Sequence, residues 1–134
     1  MMEEQKKITA KGATMRLGAY ACHIKKSSKS FQAYNNSDIT ERHRHRWEMN
    51  NKYLADYENA GLMAVGSNPE SGLVEIVELK KHPYFIGVQF HPELKSTVDN
   101  PHPLFIRFIQ AALEHKHKTI NSPSTRQENV SVYS

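Results

Sequence analysis

Apolar positions come in clusters along the chain, and their spacing alternates between the period of a strand and that of a helix. Residues 14–24 mix small and apolar side chains and predict a first strand. Lys25-Lys26-Ser27-Ser28-Lys29-Ser30 reads as a solvated turn. Residues 39–46 form an extended, basic segment. Asn50 is placed to cap a helix over 51–59, where Tyr53, Leu54 and Tyr57 recur at helical spacing, and Ala60-Gly61 would stop it. Residues 62–65 and the alternating residues 73–79 predict two strands, joined by the turn formers of 67–72 into a hairpin. After the loop Lys80-Lys81-His82-Pro83, residues 84–90 are almost continuously apolar, as expected of a strand buried on both faces. Leu104, Phe105, Phe108, Ile109, Ala112 and Leu113 then mark an amphipathic helix from near Pro103, fraying by Lys118. Residues 1–11 are a polar lead-in, and 119–134, rich in Ser, Asn and Thr without periodicity, read as a disordered tail.

The 134 residues suffice for one modest domain, and 38% hydrophobic with 24% charged content suits a soluble globular protein. A net charge of +4 does not make a nucleic-acid binder: the 18 basic residues are interspersed with 14 acidic ones, and no nucleic-acid module is recognisable. No run approaches the roughly 18 apolar residues of a membrane span. The charged N-terminus has no apolar stretch behind it, so a cytoplasmic location is expected. The single cysteine, Cys22, excludes an internal disulfide and reads as a buried structural thiol. It lacks the glycine-flanked turn of a nucleophile elbow, and its neighbour His23 would face the opposite side of the strand.

Three constellations could carry chemistry. Phe90-His91-Pro92-Glu93 ends the apolar strand, and the i, i+2 spacing puts His91 and Glu93 on one side of an extended backbone. Pro92 stiffens that tip. A carboxylate holding one imidazole nitrogen leaves the other free to take a proton from a nucleophile. In Glu41-Arg42-His43-Arg44-His45-Arg46-Trp47-Glu48 the arginines would share one face and His43, His45 and Trp47 the other. Such a block is either a carboxylate- or phosphate-binding edge or a solvated strand with local ion pairs to Glu41 or Glu48. Its two histidines lack the further ligands a zinc site needs. Asn100-Pro101-His102-Pro103-Leu104-Phe105 reads as a proline-stiffened helix start.

Taken in order, Gly12-Ala13-Thr14-Met15-Arg16-Leu17-Gly18, the Arg-His-Arg-His-Arg block with Asn50-Asn51, Gly61-Leu62, residues 73–78, Gly87-Val88-Gln89-Phe90-His91-Pro92-Glu93 and His102-Pro103-Leu104-Phe105 resemble the CTP synthases. The similar region is the C-terminal part of their class I glutamine amidotransferase domain. The resemblance covers about residues 3–115 and implies an α/β fold: the C-terminal portion of a doubly wound amidotransferase domain over residues 12–118, an incomplete sheet followed by a C-terminal helix. It implies a glutaminase that supplies ammonia for amination of UTP to CTP, with His91 as general base and acid, Glu93 as its orienting carboxylate, and Arg46 at the carboxylate of L-glutamine. The family's Gly-x-Cys-Leu-Gly-x-Gln elbow is not found in this sequence. Neither is the acidic residue that helps hold glutamine, nor the synthase domain with its ATP and magnesium sites, so no cofactor is expected on this chain. The expectation is a chain inactive alone, which folds poorly or associates, with a missing N-terminal part or full-length CTP synthase subunits as partners. Two other readings are a non-catalytic module that binds full-length CTP synthase and a basic nucleic-acid-binding protein.

Overall fold

The computed structural model describes residues 15–121. Five strands form one sheet: β1 (Arg16–Ile24), β2 (Asp38–His45), β3 (Leu62–Ser67), β4 (Val74–Leu79) and β5 (Ile86–Val88). Their order is β2-β1-β3-β4-β5, and every pairing is antiparallel. Helix α1 (Lys29–Tyr34) joins β1 to β2, α2 (Leu54–Asn59) precedes β3, and α3 (Pro103–Asn121) closes the described chain. The α/β class, the incomplete sheet and the C-terminal helix are those expected. Helix α3 continues to Asn121, into the stretch expected to be a tail; the remainder of that tail and the lead-in lie outside the described residues.

The hairpin of β3 and β4 forms as its alternation requires. Its turn is held by Asn68, whose Oδ1 accepts from the Glu70 and Ser71 amides at 3.0 and 2.9 Å, while its Nδ2 donates to the Ala21 carbonyl of β1 at 2.9 Å. A bulge falls at Gly66, where a Cβ would lie 2.8–2.9 Å from the Ile76 side chain, so only glycine fits. Asn50 caps its helix through the Lys52 amide at 3.0 Å, although the first turn, Asn51–Tyr53, is 3₁₀.

Two expectations need correction. The supposed turn at 25–30 starts α1. Ser28 caps it, and the Glu78 carboxylate of β4 accepts the Lys29 and Ser30 amides at 3.1 and 2.8 Å, so the helix N-terminus is completed by a residue far away in sequence. The apolar run 84–90 is not a strand buried on both faces. Only Ile86–Val88 pairs, all three residues are half-buried, and Phe85 is 44% exposed. The cause is topological: among the described residues β5 lies at the edge of the sheet with β4 as its only neighbour.

The apolar core is small, formed by Cys22, Ile24, Val65, Ile76, Phe90 and Leu104. A second, polar layer is buried with it. Arg16 bonds Glu75 at 2.7 Å and Glu48 at 2.9 Å, and Glu41 bonds His102 at 2.6 Å and Lys95 at 3.1 Å. Burial pushes the Glu75 carboxyl up, with the Arg16 guanidinium opposing. Burial also pushes Glu41 up, but His102 and Lys95 outweigh it and hold that carboxyl below its usual range.

His43 is fully buried between these groups, and burial together with the Arg16 charge lowers its pKa to about 3. A depressed histidine takes up its proton more readily in the unfolded chain. Its contribution to stability is therefore intact above about pH 6.5 and is lost as the pH falls toward the folded value. Urea melts between pH 8 and pH 4 should show midpoints declining with acidity, and His43→Leu should flatten that decline. Equal slopes for the two proteins would remove His43 from the account.

Candidate functional site

The tip of the sheet is assembled from the chain that leaves β5. Gln89 still bonds β4 through its amide, 2.8 Å from the Glu75 carbonyl, and Phe90 enters the core. The His91 amide then crosses to the far edge of the sheet and donates to the Arg42 carbonyl of β2 at 2.9 Å. Lys95 reaches the Thr40 carbonyl at 2.6 Å. These bonds lay the His91 segment along the outer edge of β2.

His91 has φ −112° and ψ 88°, and Pro92 opens a 3₁₀ turn, Pro92–Lys95. Extended backbone followed at once by a tight turn folds Glu93 back onto the imidazole. Glu93 Oε1 lies 2.9 Å from His91 Nδ1, with the side chains 60% and 36% exposed respectively. The Glu93 carboxyl is held below its usual range by its own backbone amide and by His91. An ionised Glu93 can only accept, so Nδ1 carries the hydrogen. In the neutral imidazole this leaves Nε2, with its lone pair, as the basic site. The pairing expected from the His-Pro-Glu spacing is thus formed.

Arg46 lies one residue beyond β2, exposed, and forms no ion pair among the described residues. The faces of β2 alternate as expected up to His45: Arg42 and Arg44 point outward, while His43 is buried and His45 largely so. Beyond the strand the alternation ends, and Trp47 is 72% exposed. The His45 ring lies 6.5 Å from that of His91, which places the end of β2 beside the His-Glu pair. The turn carrying Arg46 is tied from both sides. Glu48 accepts from Arg16 at 2.9 Å and from His45 at 2.7 Å, and Gln89 Nε2 donates to the Trp47 carbonyl at 2.8 Å.

The glutamates of the basic block are therefore not partners on a solvated edge. Glu41 is 1% exposed and joins β2 to the start of α3 through His102, whose Nδ1 also accepts the Leu104 amide at 3.1 Å. The expected helix start at 100–105 is present, with His102 as its cap. Arg16, Glu75 and Glu78 are buried charges that the local pattern does not show; the one weak signal is that Glu75 and Glu78 lie within the otherwise apolar strand 74–79.

Cys22 is not a nucleophile for His91. It lies mid-strand in the core, 1% exposed, and burial, with Glu75 and Glu41 nearby, raises its thiol pKa to about 12. A disulfide reagent at pH 8 should label Cys22 only when guanidinium unfolds the chain, since the thiolate is the reactive form. Rapid labelling of the native chain would contradict its placement. Among the described residues no group of three or more His, Cys, Asp and Glu could hold a metal ion, and no helix is long and apolar enough to cross a membrane.

The His91 imidazole, held by Glu93, can accept and return a proton at Nε2, and the exposed Arg46 guanidinium is of a kind suited to a carboxylate. A family model described as glutamine amidotransferase class-I matches residues 2–111. The CTP synthase of Cytophaga hutchinsonii is 64% identical over 112 residues, 84% of this chain and 21% of that protein. The CTP synthase of Clostridium kluyveri is 57% identical over 118 residues, 88% of this chain and 22% of that protein. The chain thus spans about a fifth of the length of the curated relatives it matches. The solved glutaminase domain of Trypanosoma brucei CTPS, with bound acivicin, superposes with a TM-score of 0.72 at 39% identity, covering 78% of this chain and 42% of that one.

Proposed function

The chain belongs to the class I glutamine amidotransferase family and corresponds to part of a CTP synthase glutaminase domain, and from this premise we propose that it carries the base half of a glutamine-hydrolysing site. The observation that supports this most is the 2.9 Å bond between Glu93 and His91 Nδ1 at a partly exposed tip. On this reading the nucleophile is a cysteine from outside these 134 residues, and the thiol proton passes to His91 Nε2 as the sulfur attacks the side-chain amide carbon of L-glutamine. The imidazolium then gives its proton to the leaving nitrogen, which departs as ammonia. Water attacks the thioester, His91 takes its proton and returns it to the sulfur, and glutamate is released. Glu93 fixes the imidazole and stabilises its charged form. Arg46 pairs with the α-carboxylate of glutamine.

The ammonia would serve the amination of UTP to CTP. The ATP and magnesium of that reaction belong, on this reading, to the synthase domain, and no residue of this chain is assigned to them. Alone, the chain has no nucleophile and should release no ammonia, because residues of a triad act as a unit.

The test is a graft: residues of this chain replace the matched 112-residue stretch of the Cytophaga hutchinsonii CTP synthase. The graft should hydrolyse glutamine while the isolated chain does not. A folded graft without glutaminase activity, or ammonia release by the isolated chain, would refute the assignment.

A further inference from the structure

We propose that Gln89 is a positioning residue: its side-chain amide sets where the turn carrying Arg46 stands relative to the His91 imidazole. This rests on the glutaminase reading of the same site and adds a residue to it.

His45 ends β2, and the chain then runs irregularly through residues 46–50. Among the described residues none of the backbone bonds outside strands and helices involves residues 46–49. Side chains hold the turn instead. On one side the ladder between β1 and β2 reaches His45, paired with Arg16. On the other, the Glu48 carboxylate accepts from Arg16 at 2.9 Å and from His45 at 2.7 Å. Between these two fixed points lie Arg46 and Trp47, both exposed. Among the described residues, the one side-chain hydrogen bond to either comes from Gln89 Nε2, which donates to the Trp47 carbonyl at 2.8 Å.

Gln89 belongs to the segment that delivers His91, and that segment is fixed at each position. The Gln89 amide donates to the Glu75 carbonyl of β4 at 2.8 Å, Phe90 is buried in the core, and the His91 amide donates to the Arg42 carbonyl of β2 at 2.9 Å. A side chain rooted in this run and bonded to a carbonyl 42 positions away in sequence carries the placement of the imidazole over to the residue next to Arg46. The His45 and His91 rings, 6.5 Å apart, show how closely the two segments run.

Gln89 is half-buried and lies outside the apolar core. Its removal leaves both ends of the turn in place and frees only residues 46 and 47, so the fold should survive. A guanidinium on a loosened turn must be ordered by the substrate at each binding event, and that ordering costs affinity. The expected defect is therefore in recognition of the glutamine carboxylate, with proton transfer at His91 left intact.

Two measurements test this, one of them independent of glutaminase activity. Gln89→Met keeps the side chain's length and removes the donor. In limited trypsin digestion of the full 134-residue chain, this variant should be cut after Arg46 about fivefold faster than wild type, the factor of one ordinary hydrogen bond. Cleavage after Arg44, inside β2, should keep its wild-type rate. In the graft described above, Gln89→Met should raise KM for glutamine about fivefold and leave kcat within about twofold. In the Arg46→Ala background it should add nothing, as expected of two residues that act as one. Circular dichroism identifies a variant that fails to fold, in which case Gln89→Glu, which cannot donate when ionised, takes its place. Unchanged cleavage after Arg46, or an equal rise after Arg44, overturns the proposal. So does a KM effect that persists in the Arg46→Ala background, or a fall in kcat alone. If the wild-type graft releases no ammonia while cleavage after Arg46 quickens in the variant, the glutaminase reading falls and the hold of Gln89 on the turn is upheld.

Discussion

Arg16→Met should remove most of the chain's stability, about 3–5 kcal/mol, because it strips the counter-charge from a buried carboxylate. The Arg16 side chain is 9% exposed and that of Glu75 0%, joined at 2.7 Å, with Glu48 on the same guanidinium nitrogen. Burial pulls the Arg16 charge down, but its bonds to both glutamates raise it on balance. Without it, Glu75 must stay ionised in the interior or take up a proton. The loss should therefore be greater at pH 7 than at pH 4, where protonation relieves the orphaned carboxylate. Against the roughly 5–15 kcal/mol typical of small domains, such a loss leaves a marginal fold. The double variant Arg16→Met/Glu75→Leu should recover most of it, since an apolar replacement of a whole buried pair is often neutral. Urea denaturation measures both. A single variant within about 0.5 kcal/mol of wild type, the scale of an ordinary surface substitution, would show that the pair is not buried as described.

That pair also marks the boundary of what could be read from the sequence. The hairpin of β3 and β4, the Asn50 cap and the stop at Gly61 were legible because each is decided within a few residues. The His91-Glu93 bond was legible for the same reason, as i, i+2 spacing around a proline nearly determines the contact. The partners of Glu75, Glu78 and Glu41 are distant in sequence: Arg16, the N-terminus of α1 and His102. Local pattern therefore gives no sign that these glutamates are buried, and it does not show α1, whose first amides are satisfied by Glu78. The run at 84–90 misled differently. Continuous apolarity suggests cover on both faces, whereas here it runs through a strand at the edge of the described sheet, with Phe85 44% exposed.

His91→Ala in the grafted enzyme carries the second large effect, about a 10²–10⁴-fold loss of glutaminase kcat, the usual contribution of a positioned acid-base group. Glu93→Gln should cost less, since the imidazole survives with a weaker orienting partner. Arg46→Ala should act mainly on KM for glutamine, by roughly the 1.5–3 kcal/mol of a charged hydrogen bond. Together these effects separate proton transfer at His91 from recognition at Arg46. The most direct measurement of the central claim is ammonia release from glutamine by the graft and by its His91→Ala variant, at equal folded concentration. The account expects turnover by the first and a loss of at least about a hundredfold in the second. Equal rates in the two proteins would contradict it.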